Sequence, residues 1–123
     1  MKIYIAHSKD FDYINELYIP IRNHNIINKH EIILPHEEGH SFSHTRDFYQ
    51  DIDLMIAECS YPSTGLGIEL GWVFDNQIPI YCVYKKGQSI SQSISAVTSH
   101  MFEYTDVDDM LHIISDIITK EEK

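Results

Sequence analysis

Two glutamates of this chain are placed where carboxylates can do chemistry. The apolar run 54–57 ends at Glu58, and two glycines, Gly65 and Gly67, precede Glu69. The order of apolar run, turn and helical pattern predicts that Glu58 lies at the tip of a buried strand and Glu69 in the first turn or so of the next helix. Two carboxylates facing one crevice beside a glycine-lined backbone are suited to binding and cleaving a polar small molecule.

A carboxylate beside a sugar ring can attack the anomeric carbon and form a glycosyl ester, which water or a second acceptor then resolves. The start of a helix would favour the ionised form of Glu69. A second carboxylate could hold a sugar hydroxyl or assist proton transfer, and Glu58 and Glu69 could fill these two roles. Both residues also have a simpler interpretation, since acidic residues are common in first helical turns and at solvated strand ends.

The elements that must position these glutamates alternate along the chain. Strands are predicted at 2–7, 31–34, 54–57, 78–84 and 100–104, and helices at 10–25, 45–50, 66–76 and 107–119. Pro20 predicts a kink near Ile19, and Ser63 or Thr64 is a good N-cap for the third helix. The tail Lys120–Lys123 is expected to fray.

This alternation predicts an α/β chain whose five-stranded parallel sheet is doubly wound and flavodoxin-like, with strand order 2-1-3-4-5. Ligands of such sheets bind outside the carboxyl ends of the strands, where the segments 7–9 and 58–67 fall. The 123 residues, 43% of them hydrophobic, suit a single domain over 1–123.

The composition of the chain limits the classes of molecule that it is expected to bind. A net charge of −10 disfavours nucleic acid polymers and anionic membranes. No apolar run reaches the ~20 residues of a membrane span, and the N-terminus lacks a secretory signal pattern. Cys59 and Cys82 lie in apolar runs and are expected to be buried, reduced thiols of a cytoplasmic protein.

Residues 57–71 carry a longer pattern: Ala-Glu, a Pro-Ser pair, Gly-x-Gly and then Glu-Leu-Gly. This pattern resembles the signature of the nucleoside 2-deoxyribosyltransferase family, including its 2′-deoxynucleoside 5′-phosphate N-hydrolase branch. Looser similarity runs from IYIAHS at 3–8 to the Ser-rich segment near Ser95. The resemblance implies cleavage of the N-glycosidic bond of a nucleoside or its 5′-monophosphate, by hydrolysis or base transfer, through a covalent glycosyl-glutamate. It also implies a homodimer that needs neither a cofactor nor a metal.

The resemblance assigns roles to individual residues. Glu69 corresponds to the family's nucleophile and Glu58 to its assisting or substrate-binding glutamate. His7 and Ser8 stand where the hydrolase branch has a ligand-binding Gly-Ser turn. A late serine reaches the phosphate of the neighbouring subunit's site, and the nearest matches are Ser93 and Ser95.

A cradle for the sugar and phosphate is predicted around these residues. Ser8, Ser63, Gly65 and Gly67 would shape it. Lys9 would face a cationic rim at Lys85-Lys86, although a solvated turn is the preferred interpretation of that lysine pair.

The chain departs from the family at one position. An aspartate eight residues before the acidic residue that opens the third strand helps to protonate the departing base, and counting back from Asp53 gives Thr45. Asp47 could substitute if the local helix shifts; otherwise the proton comes from Glu58, or activity is weak or absent. A nucleotide-binding or signalling module without chemistry is therefore one alternative. The opening 4–17 is also somewhat similar to the first strand and helix of TIR domains, which makes NAD cleavage another.

The segment His36–His40 matches the zinc-protease motif H-E-x-x-H, with His44 as a possible third ligand. Pro35 and Gly39 argue against the helix that this motif needs, so a zinc hydrolase is the third alternative. We favour a polar loop over the crevice, in which a histidine contacts the base or ribose. Two aromatic residues lie in or beside the 57–71 pattern. Trp72 is expected to pack in the core or at a dimer interface, and Tyr61 could stack on the base of a ligand.

Overall fold

A single parallel sheet organises the molecule. The structure is a computed structural model that describes residues 1–37 and 46–123, without the side chains of 46–48. Its strands are β1 (Lys2–His7), β2 (Glu31–Ile33), β3 (Leu54–Glu58), β4 (Ile80–Lys85) and β5 (Met101–Tyr104). They pair in parallel in the order β2-β1-β3-β4-β5. The predicted α/β class and strand order are confirmed.

Helices cover both faces of the sheet. They are α1 (Ile19–Arg22), α2 (Thr64–Asp75) and α3 (Val107–Glu121), with short 3₁₀ helices at Ile27–Lys29, Arg46–Asp51 and Gln92–Ala96. Alternate residues of β1 point to opposite sides, as the two-residue period of a strand requires. Ile3 and Ile5 pack with Ile114 of α3, whereas Tyr4 and Ala6 share a second core with α2.

The N-terminal helix differs from its prediction over 10–25. A π-helical turn at Ile14–Tyr18 precedes the single α-turn of α1. Pro20 explains the change, because its nitrogen cannot donate to the Glu16 carbonyl and its ring would clash with that carbonyl in a regular helix. A kink or an early break was predicted near Ile19; the π-helical turn ends directly before Ile19, the helix continues to Arg22, and the predicted length is wrong.

Other element boundaries shift by a few residues. α2 begins at Thr64 rather than at residue 66, because Ser63 is extended and its Oγ accepts a hydrogen bond from the Leu66 N–H. α3 continues to Glu121, so part of the predicted frayed tail is helical. Within 1–37 and 46–123, no helix is long and apolar enough to cross a membrane. Cys59 and Cys82 are buried free cysteines, as predicted for the folded chain.

Candidate functional site

A cavity of about 430 Å³ opens at the carboxyl end of β1 beside the N-terminus of α2. Its volume lies within the range of about 300–1,000 Å³ that is usual for small-molecule sites. The described residues that line it are His7, Ser8, Lys9, Asp10, His36, Ser63, Gly65, Leu66, Ile68, Glu69 and Trp72. Six predicted site residues meet here: His7, Ser8, Lys9, Ser63, Gly65 and Glu69.

Glu69 enters the cavity from the second turn of α2. Because the helix begins at Thr64, Glu69 is its sixth residue, and α2 has no acidic residue in its first turn. The expected stabilisation by first-turn N–H groups is therefore wrong, since that field fades within one turn. The half-buried carboxylate instead lies close to the hydroxyls of Tyr4 and Tyr49, and its charge helps to raise the pKa of both phenols.

These two tyrosines form a buried support beneath the carboxylate. Both are 0% exposed, and their ring centroids lie 5.3 Å apart in an edge-to-face arrangement. Burial raises the pKa of Tyr49 to about 12, and burial together with the Glu69 charge raises the pKa of Tyr4 further. Both phenols therefore stay protonated near neutral pH, so they add no second negative charge beside the Glu69 carboxylate.

Glu58 lies in different surroundings, and the prediction that it faces the crevice with Glu69 is not met. Its side chain is 1% exposed and is absent from the cavity lining. One oxygen accepts from the Ser60 N–H at 2.7 Å, and the other accepts from the Ser60 Oγ at 2.9 Å and from the Tyr104 hydroxyl. Ser60 Oγ in turn accepts from the Lys85 N–H at 2.7 Å, so this network joins the ends of β3, β4 and β5.

Burial raises the pKa of Glu58, although the hydrogen bonds from Tyr104 and Ser60 act in the opposite direction. Both carboxylate oxygens of Glu58 accept hydrogen bonds from Ser60 or Tyr104. Glu58 therefore stabilises the edge of the sheet from which the cavity residues project.

The end of β1 forms a second wall. His7 is 5% exposed, with Nδ1 2.7 Å from the Ser8 carbonyl oxygen and Nε2 2.6 Å from the Tyr18 hydroxyl. Burial lowers the pKa of His7. Ser8 Oγ accepts the Asp10 N–H at 3.0 Å, which folds the chain back beside the exposed Lys9.

The start of α2 closes the cavity from the other side. Gly65 lines the cavity, and a Cβ built on it would meet no protein atom within 4 Å. A ligand can therefore approach this backbone closely. Trp72, Leu66 and Ile68 add apolar surface to the same side. Trp72, predicted in the core or an interface, packs against the core through Tyr49 and also faces the cavity.

Four residues predicted to contact the ligand lie elsewhere in the isolated chain. Gly67 and Ser93 line a separate cavity of about 180 Å³, and Ser95 lines a groove of about 750 Å³ near the start of β4. Tyr61 stacks on Phe11 with ring centroids 4.9 Å apart. The Ser95 contact was expected with a neighbouring subunit, so it stays a prediction.

Several predicted positions lie outside the described residues. Thr45, His40 and His44 fall within 38–45, and the side chain of Asp47 is among those not described, although its backbone belongs to the 3₁₀ helix Arg46–Asp51. His36 is described and lies in a turn rather than in a helix. Among the described residues, no group of three His, Cys, Asp or Glu side chains could hold a metal ion.

The sequence reasoning missed Tyr4 and Tyr49, and it offered only an unnamed loop histidine where the structure has His36. Tyr4 was assigned to a buried strand, and nothing in its neighbours indicates that its hydroxyl reaches a carboxylate in a helix 65 residues later.

Known proteins resemble this chain in sequence and in fold, whereas no protein-family model matches it. The curated "Putative 2′-deoxynucleoside 5′-phosphate N-hydrolase 1" of Methanosarcina barkeri is 32% identical over 69 residues, covering 54% of this chain and 43% of that protein. This chain therefore matches less than half the length of that relative. The solved structure of the CMP N-glycosidase BcmB of Clostridium botulinum has a TM-score of 0.63 at 19% identity, covering 93% of this chain and 98% of that one.

The chain resembles the nucleoside 2-deoxyribosyltransferase-like family. The first comparison supports this resemblance in sequence, and the second shows a shared fold.

Proposed function

We propose that this chain cleaves the N-glycosidic bond of a nucleoside 5′-monophosphate or nucleoside, with Glu69 as the nucleophile. The observation that carries the proposal is a half-buried carboxylate in a ligand-sized cavity, packed beside two buried phenols. A nucleophile must be held within a narrow range of positions to react, and buried neighbours that restrict a side chain serve that need. The names of the two similar proteins point to the same class of substrate.

The reaction proceeds through two displacements at C1′. A Glu69 oxygen forms a bond to C1′ while the C1′–N bond breaks. The electron pair of the C1′–N bond leaves with the base. Water, or a second base in a transfer reaction, then attacks C1′ and releases the Glu69 carboxylate. Hydrolysis of this kind consumes one water and yields the free base and the sugar phosphate.

The cavity walls offer complementary groups for the rest of the substrate. Lys9, Ser8 and Ser63 lie near the start of α2, where backbone N–H groups and the helix dipole favour a phosphate. This local arrangement offsets the net charge of −10, which would otherwise repel an anion. Trp72 supplies an aromatic surface for a base.

A homodimer is part of the proposal. The outer face of α2 exposes Ile68 and Phe74, which are 48% and 54% exposed, and a helix that is apolar on most sides is usually covered. Ser95 shares a groove with Phe74, so a dimer formed there would bring Ser95 towards a neighbouring chain. Light scattering should then give a dimer for the native chain and a monomer for Phe74→Glu, while a native monomer would contradict this part.

We also propose a cytoplasmic location, because buried free cysteines such as Cys59 and Cys82 are typical of reducing compartments.

The test of activity is release of free base. The purified chain is incubated with ribo- and deoxynucleosides, their 5′-monophosphates and NAD, and free base is followed by chromatography. We expect turnover of at least one nucleoside monophosphate. Tight binding measured by calorimetry without base release would instead indicate a binding module, and release of nicotinamide alone would indicate NAD cleavage.

A further inference from the structure

A base that leaves as an anion is a poor leaving group, so N-glycosidic cleavage calls for a proton donor. The titratable side chains among the described lining of the Glu69 cavity are His7, Lys9, Asp10, His36 and Glu69. Glu69 is assigned to the nucleophilic attack, which leaves four candidates. Their burial distinguishes them: His7 is buried, Lys9 and Asp10 are exposed, and His36 is half-buried in the cavity wall.

His7 is committed to the protein. A carbonyl oxygen can only accept, so the Nδ1 that lies 2.7 Å from the Ser8 carbonyl oxygen must carry the ring proton. Nε2 then accepts from the Tyr18 hydroxyl at 2.6 Å. Both nitrogens are therefore occupied inside a residue that is 5% exposed, and burial lowers the pKa of His7.

Tyr18 links His7 to His36. The Tyr18 hydroxyl donates a hydrogen bond to His7 and accepts one from the backbone N–H of His36 at 2.9 Å. The His36 ring stands nearly perpendicular to the His7 ring, with centroids 5.5 Å apart. Pro35, which is buried, immediately precedes His36 and fixes the chain there. The hydroxyl of one tyrosine thus joins two walls of the cavity.

The π-helical turn explains how Tyr18 reaches this place. Tyr18 is the last residue of the turn Ile14–Tyr18, two residues before Pro20, and it is 5% exposed. A π-turn rotates the residues that follow it relative to a regular α-helix, and such turns recur at functional sites.

We propose that His36 donates the proton to the departing base and that Tyr18 positions His36 for this step. This inference rests on the proposed glycosidase function. In the first displacement, the His36 imidazolium gives a ring proton to a nitrogen or oxygen of the base as the C1′–N bond breaks. In the second, neutral His36 takes a proton from the attacking water as the Glu69–C1′ bond breaks. The donor is thereby restored and no other reactant is consumed. Lys9 and Asp10 are both exposed at the cavity mouth.

The experiment compares two substrates that share one sugar phosphate. One carries the best natural base from the activity panel, and the other carries a cationic base that leaves without a proton, N7-methylguanine for a purine or N3-methylcytosine for a pyrimidine. The variants are His36→Gln, Tyr18→Phe, Asp10→Asn and, as a remote control on α3, the exposed His112→Gln.

His36→Gln should lower kcat for the natural base by about 10²–10⁴-fold, the usual contribution of a general acid, and have little effect with the cationic base. Tyr18→Phe should show the same selectivity with a smaller loss of kcat and an unchanged KM. Added imidazole should restore part of the activity of His36→Ala, which provides a readout if the methylated base is not accepted. His112→Gln should match the native chain with both substrates.

Equal losses on both substrates together with no rescue by imidazole would overturn the role of His36, as would selectivity that appears with Asp10→Asn instead. A native chain that releases no base would contradict the proposed glycosidase function. Failure of the role of His36 gives a different result, because the native chain is then active and only the ratios between variant and native rates depart from the expectation.

Discussion

Glu69 and Glu58 have the same type of side chain and lie close together along the chain, but their surroundings suit them to different roles. Glu69 lines a cavity of about 430 Å³, with Tyr4 and Tyr49 buried beside it. Glu58 is 1% exposed and accepts hydrogen bonds from Ser60, just after its own strand, and from Tyr104 on β5. The comparison teaches that three donors on one buried carboxylate favour a structural role, whereas a half-buried carboxylate at a cavity leaves surface for a ligand.

The largest expected effect is on activity and belongs to Glu69. Glu69→Gln keeps the size of the side chain but removes the nucleophile, so we expect kcat to fall by about 10³-fold or more. Base release by chromatography measures the loss, and urea unfolding should show that the variant remains folded. A variant whose turnover stays close to the native rate would end the distinction between the two glutamates.

Glu58 should affect stability instead. Glu58→Ala leaves the Ser60 N–H, the Ser60 hydroxyl and the Tyr104 hydroxyl without their acceptor in a buried site. Each such group costs about 1–3 kcal/mol, so the free energy of unfolding should drop by about 3 kcal/mol or more. Urea unfolding measures this change.

Glu103→Ala is the matched control, because Glu103 is an exposed glutamate of the edge strand β5, next to the Tyr104 that binds Glu58. Its substitution should change the free energy of unfolding by less than about 0.5 kcal/mol. Equal effects of Glu58→Ala and Glu103→Ala would contradict the structural role of Glu58.

A smaller effect is expected from pH. Burial raises the pKa of Glu58 above its usual value of 4.5, so the folded chain binds this proton more tightly than the unfolded chain does. The contribution of Glu58 to stability is therefore complete below pH 4.5 and is lost as the pH rises through its folded-state pKa.

Glu58→Gln cannot titrate, so the native chain should lose stability relative to this variant as the pH rises from 4.5. Paired urea unfolding curves over this range measure the difference. The prediction fails if the difference in free energy of unfolding between the two proteins is constant with pH or grows in favour of the native chain. Burial would then not control the pKa of Glu58.

The smallest effect should come from the glycine next to the cavity. Gly65→Ala adds a methyl group that meets no protein atom but lies at the cavity wall, so KM should rise several-fold without any loss of stability. Gly71→Ala adds the same group to α2 away from the cavity lining. Both changes should raise the free energy of unfolding by up to about 1 kcal/mol, since alanine favours helix over glycine. A rise in KM for both variants would mean that the effect does not arise at the cavity.

The sequence predicted the fold well, because each strand and helix carries its own local period. The alternation in β1 and the apolar run of β3 indicated buried parallel strands, and Pro20 indicated the break at Ile19. The sequence also placed Ser8, Lys9 and Glu69 together, since residues that end parallel strands or follow them meet at one edge of a sheet.

What the sequence could not predict depends on partners far apart along the chain. The partners of Glu69 come from β1 and from the 3₁₀ helix before β3, and the Tyr104 that binds Glu58 lies on the edge strand β5. No local pattern of Glu58 distinguishes a carboxylate that faces solvent from one that three donors enclose. The Tyr18 link between His7 and His36 likewise depends on the π-helical turn, whose hydrogen bonds no spacing of apolar residues specifies.

The most direct test is chemical trapping at Glu69. A nucleotide with fluorine at the 2′ position in the arabino configuration slows departure of the sugar from an ester, because fluorine destabilises the positive charge that develops at C1′. After incubation and digestion, mass spectrometry should find one fluorinated sugar phosphate bound to Glu69 in the native chain and none in Glu69→Gln. Release of base with the label on another side chain, or with no label on the protein, would contradict the central role of Glu69.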